Sequence, residues 1–68
     1  MTTVDARGYS CPEPVILTKK ALESKEAVYE ILVDNVTAKE NVSRFAQHQG
    51  YTAEAEEQGE DFLIRLKK

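Results

Sequence analysis

A single cysteine, Cys11, in a chain of 68 residues limits how this protein can be held together. One thiol cannot close an internal disulfide, and it excludes a zinc ribbon or a self-contained C-x-x-C redox pair. Small secreted domains usually depend on several disulfides, because chains of this length bury little surface. The sequence therefore predicts one domain over residues 1–68, held together by core packing alone in a reducing compartment.

The charged residues and the apolar runs exclude two classes of partner. Twelve acidic residues against nine basic ones give a formal net charge of −3, whereas nucleic-acid-binding proteins usually carry a basic face or stripe. No apolar run approaches the ~18 residues of a membrane span, and no signal-peptide core follows Met1. We therefore expect a cytoplasmic protein without direct contact to nucleic acid or membrane.

Four segments have the length and side-chain pattern of β-strands. They are residues 2–6, 27–33, 51–57 and 62–67. The first is short and fits an edge strand, and the second is a continuous apolar run that fits the middle of a sheet. The last two alternate in polarity around a turn and predict a hairpin. Across it, acidic residues would face basic ones, Glu54 and Glu56 opposite Arg65 and Lys67.

Two segments between these strands predict helices. The prolines of Cys11–Pro14 open the first, because the first helical turn leaves the N–H that proline lacks unpaired anyway. Residues 15–24 then place most of their apolar side chains on one side of the helix, with Ile16 on the polar side. In the second segment, Thr37 as N-cap and Glu40 three residues later match a capping box.

The order of these elements is strand, helix, strand, helix, strand, strand. Right-handed crossovers between neighbouring strands place both helices on the same face of the sheet. The sequence thus predicts an α/β (α+β) fold, built as a two-layer sandwich of one sheet and two helices.

This topology places a candidate reactive group at one edge of the sheet. The loops after the first two strands, 5–11 and 34–35, would lie side by side, where parallel sheets tend to carry their chemistry. Cys11 lies there at the start of a helix, where the helix dipole favours an anion and lowers the pKa of a thiol from ~8.5. If Cys11 is the N-cap, the N–H of Glu13 is the natural donor to its sulfur.

Two charged neighbours would act on this thiol in opposite directions. Arg7 would add positive charge and the carboxylate of Glu13 would oppose it, so we expect a modest lowering of the thiol pKa. The alternative is a half-buried structural cysteine, since free cysteine is among the most buried residue types. Ser10 and the prolines favour a reactive thiol, because a core cysteine is usually flanked by apolar periodicity.

The segment around the cysteine resembles a known family signature. Residues 4–15 read Val-Asp-Ala-Arg-Gly-Tyr-Ser-Cys-Pro-Glu-Pro-Val, which is similar to the Asp-Ala-x-Gly-(apolar)-x-Cys-Pro-x-Pro pattern of the TusA/SirA/YedF sulfur carriers. The likeness extends to the acidic end of the second strand and the terminal hairpin. It implies a compact β-α-β-α-β-β domain with a four-stranded mixed sheet.

The resemblance also implies an activity and a set of site residues. Cys11 would accept sulfane sulfur as a persulfide from a cysteine desulfurase and pass it to a downstream relay protein, towards thiolated tRNA or another sulfur-containing product. Four neighbours, Pro12, Pro14, Asp5 and Gly8, would shape the site, with Glu13 between the prolines.

The chain departs from the family pattern in two places. Tyr9 stands where an aliphatic residue is common. After the second strand, tRNA-thiolating members tend to carry Asp-Asp-Pro and an arginine, whereas here Asp34-Asn35-Val36 is followed by Lys39 and Glu40. The second half looks closer to the YedF-like branch, which is often associated with selenium metabolism and a further C-terminal domain. A chain ending at Lys68 fits either a stand-alone protein or one domain of a longer one.

Several residues near the thiol are candidates for partner docking. They are Ile16, Arg7, Lys19, Lys20 and Asp34. Asp34 has an alternative as a helix-capping group, and the two lysines have an alternative as solvated helix positions. No pair of acids or histidines predicts a metal and no glycine-rich loop predicts a nucleotide, so we expect no cofactor.

Three functions remain open at this point. The first is a sulfur carrier that transfers persulfide through Cys11. The second is a regulatory or adaptor module that binds a partner through the same edge without moving sulfur. The third is a selenium carrier, with a selenosulfide on Cys11.

Overall fold

The computed structural model describes residues 2–10 and 12–68. Six elements follow one another in the predicted order. They are β1 Thr2–Asp5, α1 Glu13–Leu22, β2 Val28–Val33, α2 Val36–His48, β3 Thr52–Gln58 and β4 Asp61–Lys67. The predicted fold class is confirmed.

The four strands form one mixed sheet in the order β1-β2-β4-β3. β1 and β2 pair in parallel, whereas β4 is antiparallel to both of its neighbours, β2 and β3. The prediction that the first strand is an edge strand and the second lies inside the sheet is confirmed. Because β4 also lies inside, the last hairpin leaves β3 at the opposite edge.

Burial alternates along β2, because successive side chains of a strand point to opposite faces. Tyr29, Ile31 and Val33 are fully buried, and the residues between them are half-buried. The buried face packs against residues that recur every four positions on α2. They are Ala38, Val42 and Ala46. The partly buried apolar side chains of α1 pack against the same core, so both helices cover one face of the sheet, as predicted; they are Val15, Leu17, Ala21 and Leu22.

Helix α1 buries one side that includes a hydroxyl group. Thr18 is fully buried, and its Oγ1 donates to the Pro14 carbonyl at 2.8 Å. This bond gives the buried hydroxyl group the hydrogen-bond partner that it needs inside the core. Ile16 points away from the core and is 44% exposed, as the helical pattern predicts.

The predicted cap of α2 is wrong. Asn35, not Thr37, is the N-cap, with an extended backbone and an Oδ1 that accepts the Ala38 N–H at 2.7 Å. The helix begins at Val36, so Ala38 is the third helical residue and its N–H needs a side-chain acceptor. The capping-box pattern at Thr37 starts two residues too late for this geometry.

The predicted charge pairs of the hairpin are also wrong in part. Glu54 lies opposite Arg65, but the antiparallel register places Glu56 opposite Leu63. The guanidinium of Arg65 contacts Glu30 of β2 instead, at 3.3 Å. Because β4 lies between β2 and β3, Arg65 has an acidic residue opposite it on each neighbouring strand, Glu30 and Glu54. The sequence of the hairpin alone indicates only the one on β3.

Candidate functional site

The carboxyl ends of β1 and β2 meet at one edge of the sheet. Pairing continues one residue beyond β1, where the Ala6 N–H donates to the Leu32 carbonyl at 2.8 Å. From this edge one connection leads into α1, and Asp34–Asn35 leads into α2. Residues 6–10, called the cysteine loop below, therefore lie beside the β2–α2 connection, as the topology predicts.

The predicted reactive residue, Cys11, lies outside the described residues, so its role stays a prediction. The described residues on either side show what surrounds this position in the chain. Pro12 is the N-cap of α1, and Pro14 is buried in the first turn. Pro12, Glu13, Pro14, Asp5 and Gly8, which the resemblance implies as site-shaping residues, all lie at this edge or in the first turn of α1.

The first turn of α1 uses its backbone donors within the chain. Glu13 N–H donates to the Ser10 carbonyl at 3.0 Å, and Val15 N–H donates to the Pro12 carbonyl at 3.1 Å. The predicted donation from Glu13 N–H to the cysteine sulfur assumed Cys11 as the N-cap, whereas the N-cap is Pro12 and Glu13 N–H donates to the Ser10 carbonyl. What this helix end offers an anion is the field of the helix dipole.

Asp5 and Arg7 form a bidentate ion pair at the start of the cysteine loop. Nε and Nη2 of Arg7 each donate to a different oxygen of the Asp5 carboxylate at 3.0 Å, and the Arg7 backbone N–H also reaches Oδ1. These hydrogen bonds lower the pKa of Asp5 below its ordinary value. Such a parallel pair fixes the plane of the guanidinium as well as its position.

The same guanidinium reaches the start of β4. Nη1 of Arg7 lies 3.1 Å from Oδ2 of Asp61. Arg7 thus faces two carboxylates, whose hydrogen bonds raise its pKa further. The prediction that Arg7 contributes positive charge to the thiol needs correction, since Asp5 and Asp61 neutralise that charge where it lies.

Sequence reasoning missed Asp61 as a residue of this edge. The residue lies 54 positions from Arg7, at the start of β4 after a polar turn, and no local pattern distinguishes it from the acidic residues around it. It reaches the edge because β4 runs antiparallel to β2, so the start of β4 lies beside the end of β2. Only knowledge of that pairing would have indicated it.

Asp34 connects the two loops. Its Oδ2 accepts the Gly8 N–H at 2.8 Å, and its Oδ1 accepts the Asn35 side-chain amide at 3.0 Å. The Gly8 backbone bond and the Asn35 amide lower the pKa of Asp34. Asp34 does not cap α2. It accepts a hydrogen bond from the side chain of Asn35, which does cap α2. Gly8 donates to Asp34 from a backbone with φ of +83°, a conformation that glycine adopts readily because it has no Cβ.

These lowered pKa values predict a loss of stability in acid. Because Asp5 and Asp34 bind protons less readily in the folded state, their stabilising contribution is complete above the ordinary aspartate pKa of ~3.9. It is lost as the pH falls through their folded-state values. The free energy of unfolding measured in urea between pH 5 and 2.5 should therefore fall less steeply in Asp34→Asn than in the wild type. An unchanged slope would contradict the Asp34 contacts.

The candidate docking residues are all exposed, and three of them, Ile16, Lys19 and Lys20, share one face of α1 because they stand at positions i, i+3 and i+4. Ile16 lies one turn into α1, close to the edge. Lys19 and Lys20 are exposed in the last turn of α1, about 5–6 Å further along the helix axis than Ile16, where cations also complement the helix dipole. Tyr9 and Val36, 45% and 52% exposed, add apolar surface at the edge itself.

An open groove of about 510 Å³ between the helices is lined by Val15, Asn41, Arg44, Phe45, His48 and Gln49.

Within residues 2–10 and 12–68, no three His, Cys, Asp or Glu side chains are grouped so that they could hold a metal. Neither described helix is long and apolar enough to cross a membrane.

The fold and the edge define a small α+β domain that carries its candidate chemistry at the start of a helix. A family model described as "Sulfurtransferase TusA" matches residues 2–68. The chain belongs to this TusA family and is thus a member of a family of sulfur carriers.

Individual relatives agree with this assignment. The chain is 44% identical over 71 residues to the "Putative sulfur carrier protein" of Methanocaldococcus jannaschii, covering 100% of this chain and 95% of the relative. It is 34% identical over 68 residues to a protein of the same description from Archaeoglobus fulgidus, covering 97% and 88%. A crystal structure of a SirA-like protein from Desulfitobacterium hafniense superposes with a TM-score of 0.89 at 38% identity, covering 98% and 96%.

Proposed function

We propose that Cys11 accepts sulfane sulfur as a persulfide from a cysteine desulfurase and relays it to an acceptor protein. The observation that carries this proposal is membership of the TusA family along residues 2–68. The position of the cysteine in the sequence supports it, since Cys11 follows a loop at the carboxyl edge of a parallel strand pair and directly precedes the N-cap Pro12.

The proposed relay needs one thiol on this chain and no external oxidant. The Cys11 thiolate attacks the outer sulfur of the donor's persulfide, the donor's S–S bond breaks, and the donor's thiolate leaves. A thiolate of the acceptor then attacks the outer sulfur of the Cys11 persulfide and regenerates the Cys11 thiolate. Both steps are exchanges between sulfur atoms, so a second cysteine in this chain is unnecessary. An unpaired thiol of this kind belongs in a reducing compartment, and we place the relay in the cytoplasm.

Four residues near the thiol would act by shaping the approach to it. Pro12 and Pro14 stiffen the entry into α1 because their rings restrict φ to a narrow range of negative values, which is −99° at Pro12. Asp5 and Gly8 hold the cysteine loop through the contacts with Arg7 and Asp34. In this proposal none of the four exchanges protons or sulfur with the substrate.

A loading experiment tests the proposed activity. The protein is incubated with a cysteine desulfurase and free cysteine, and its intact mass is then measured before and after treatment with a reductant. We expect a gain of one sulfur atom that the reductant removes. A chain that binds the desulfurase without gaining sulfur would instead be an adaptor, and the relay proposal would be wrong.

We also propose that Ile16 contacts the donor, because it is an exposed apolar side chain one turn from the start of α1. A buried apolar anchor often dominates an interface, and truncating one costs 2 kcal/mol or more. Ile16→Asp should therefore weaken the Kd for the desulfurase about tenfold or more, measured by titration calorimetry with wild-type protein alongside.

A matched control separates docking from a general surface effect. Gln47 is exposed on α2, and Gln47→Asp introduces the same side chain on the outer surface of the other helix. Its Kd should stay within about twofold of the wild type. Equal weakening by both variants would show that added negative charge, rather than the apolar contact at Ile16, controls binding.

A further inference from the structure

The contact between Arg7 and Asp61 joins two parts of the chain that are 54 positions apart in sequence. Arg7 belongs to the cysteine loop, and Asp61 is the first residue of β4, after the β3–β4 turn. Their contact at 3.1 Å passes the end of β2, which lies between β1 and β4 in the sheet. The side chain of Asp61 is 29% exposed, less than those of Arg7 and Asp5.

We infer that Asp61 is a positioning residue that holds the cysteine loop in place through Arg7. Asp5 alone fixes the guanidinium only relative to the end of β1, because both belong to the same short segment. Asp61 adds an anchor on a different strand, which turns a local ion pair into a tie across the sheet edge. The step from loop to thiol rests on the proposed function, since it takes Cys11 as the reacting group.

A neighbouring hydrogen bond reports on this tie directly. The Gly8 N–H, one residue after Arg7, donates to Asp34 at 2.8 Å. Asp34 is anchored independently, by its place after β2 and by its bond to Asn35. If Asp61 restrains the loop, losing it should increase the fraction of time during which the Gly8–Asp34 bond is open, and the Gly8 amide should exchange with solvent more rapidly.

The first experiment measures solvent exchange of the Gly8 amide by NMR in Asp61→Asn. Exposed ion pairs are individually weak, so the expected acceleration is about twofold to fivefold. Glu60→Gln is the matched control, because it removes one negative charge from the adjacent exposed turn residue and should leave Gly8 exchange unchanged. Equal exchange rates in Asp61→Asn and the wild type would overturn the inference.

A second pair of variants checks that the effect passes through Arg7. In an Arg7→Ala background, adding Asp61→Asn should produce no further acceleration of Gly8 exchange, because the contact is already absent. Asp61→Glu, which keeps a carboxylate at this position, should restore most of the wild-type protection. A full additional acceleration in the Arg7→Ala background would show that Asp61 acts by another route, against the inference.

The third measurement concerns sulfur transfer. With saturating desulfurase, the single-turnover rate constant for loading Cys11 should fall about twofold to fivefold in Asp61→Asn, while the Kd for the desulfurase and the midpoint of urea unfolding stay close to wild type. Faster Gly8 exchange with unchanged loading would overturn the link to the thiol. If the wild type itself gains no sulfur, the proposed function fails, and Gly8 exchange still decides whether Asp61 holds the loop.

Discussion

Replacing Cys11 with serine is expected to abolish sulfur loading, reducing the gain in intact mass to the background of the assay. A serine hydroxyl is a far weaker nucleophile than a thiolate at neutral pH, so it cannot displace the donor's sulfur at a comparable rate. Cys11 is the chain's only cysteine, and no other side chain can hold a persulfide in its place. The measurement is the intact mass after incubation with desulfurase and cysteine.

A variant with the cysteine moved by one position is the more stringent control for this experiment. The double variant Ser10→Cys, Cys11→Ser keeps one thiol in the same segment but moves it by one residue. We expect it to react with a small alkylating reagent and to load sulfur from the desulfurase much more slowly than the wild type. Equally fast loading would show that any accessible thiol here suffices, and unchanged loading of the single Cys11→Ser variant would refute the carrier proposal outright.

Truncating the centre of the sheet should have the largest effect on stability. Ile31 is fully buried, between Val4 of β1 and Ile64 of β4. Ile31→Ala removes buried methyl groups and leaves a cavity, which costs about 2–5 kcal/mol. A domain of this length has a free energy of unfolding of roughly 3–10 kcal/mol. Urea denaturation followed by circular dichroism should show a population that is partly unfolded even without urea, or a greatly lowered midpoint.

The adjacent residue provides the matched control. Leu32 follows Ile31 on β2 but points to the opposite, uncovered face, where it is half-buried beside Leu63. Leu32→Ala removes a similar side chain from the same strand, yet it should cost only about 1 kcal/mol because no helix packs over that face and the truncation leaves no enclosed cavity. Similar losses for the two variants would contradict the arrangement of both helices on one face.

The order of elements and the covered face could be predicted from the sequence because they depend on local periodicity. The continuous apolar run of β2 indicates a central strand, and the spacing of apolar residues on α2 indicates which of its side chains point inward. The charge pairs of the hairpin could not be predicted in full, because Arg65 contacts Glu30 on a strand that is distant in sequence. The cap of α2 was missed for a smaller reason, since Asn35 and Thr37 are both suitable capping residues and only the backbone at 35 decides between them.

Sequence by itself determined that no internal disulfide forms, that the strands and helices follow one another in this order, and that the single cysteine directly precedes the first helix along the chain. These properties depend on residue types and on spacings within single segments. Tertiary structure alone decided the electrostatics of the sheet edge at the cysteine loop. Arg7 is neutralised by Asp5 and by Asp61, and Gly8 is held by Asp34. Asp61 comes from β4 and Asp34 from the β2–α2 connection, both distant in sequence from the cysteine loop, and charges interact through space rather than along the chain.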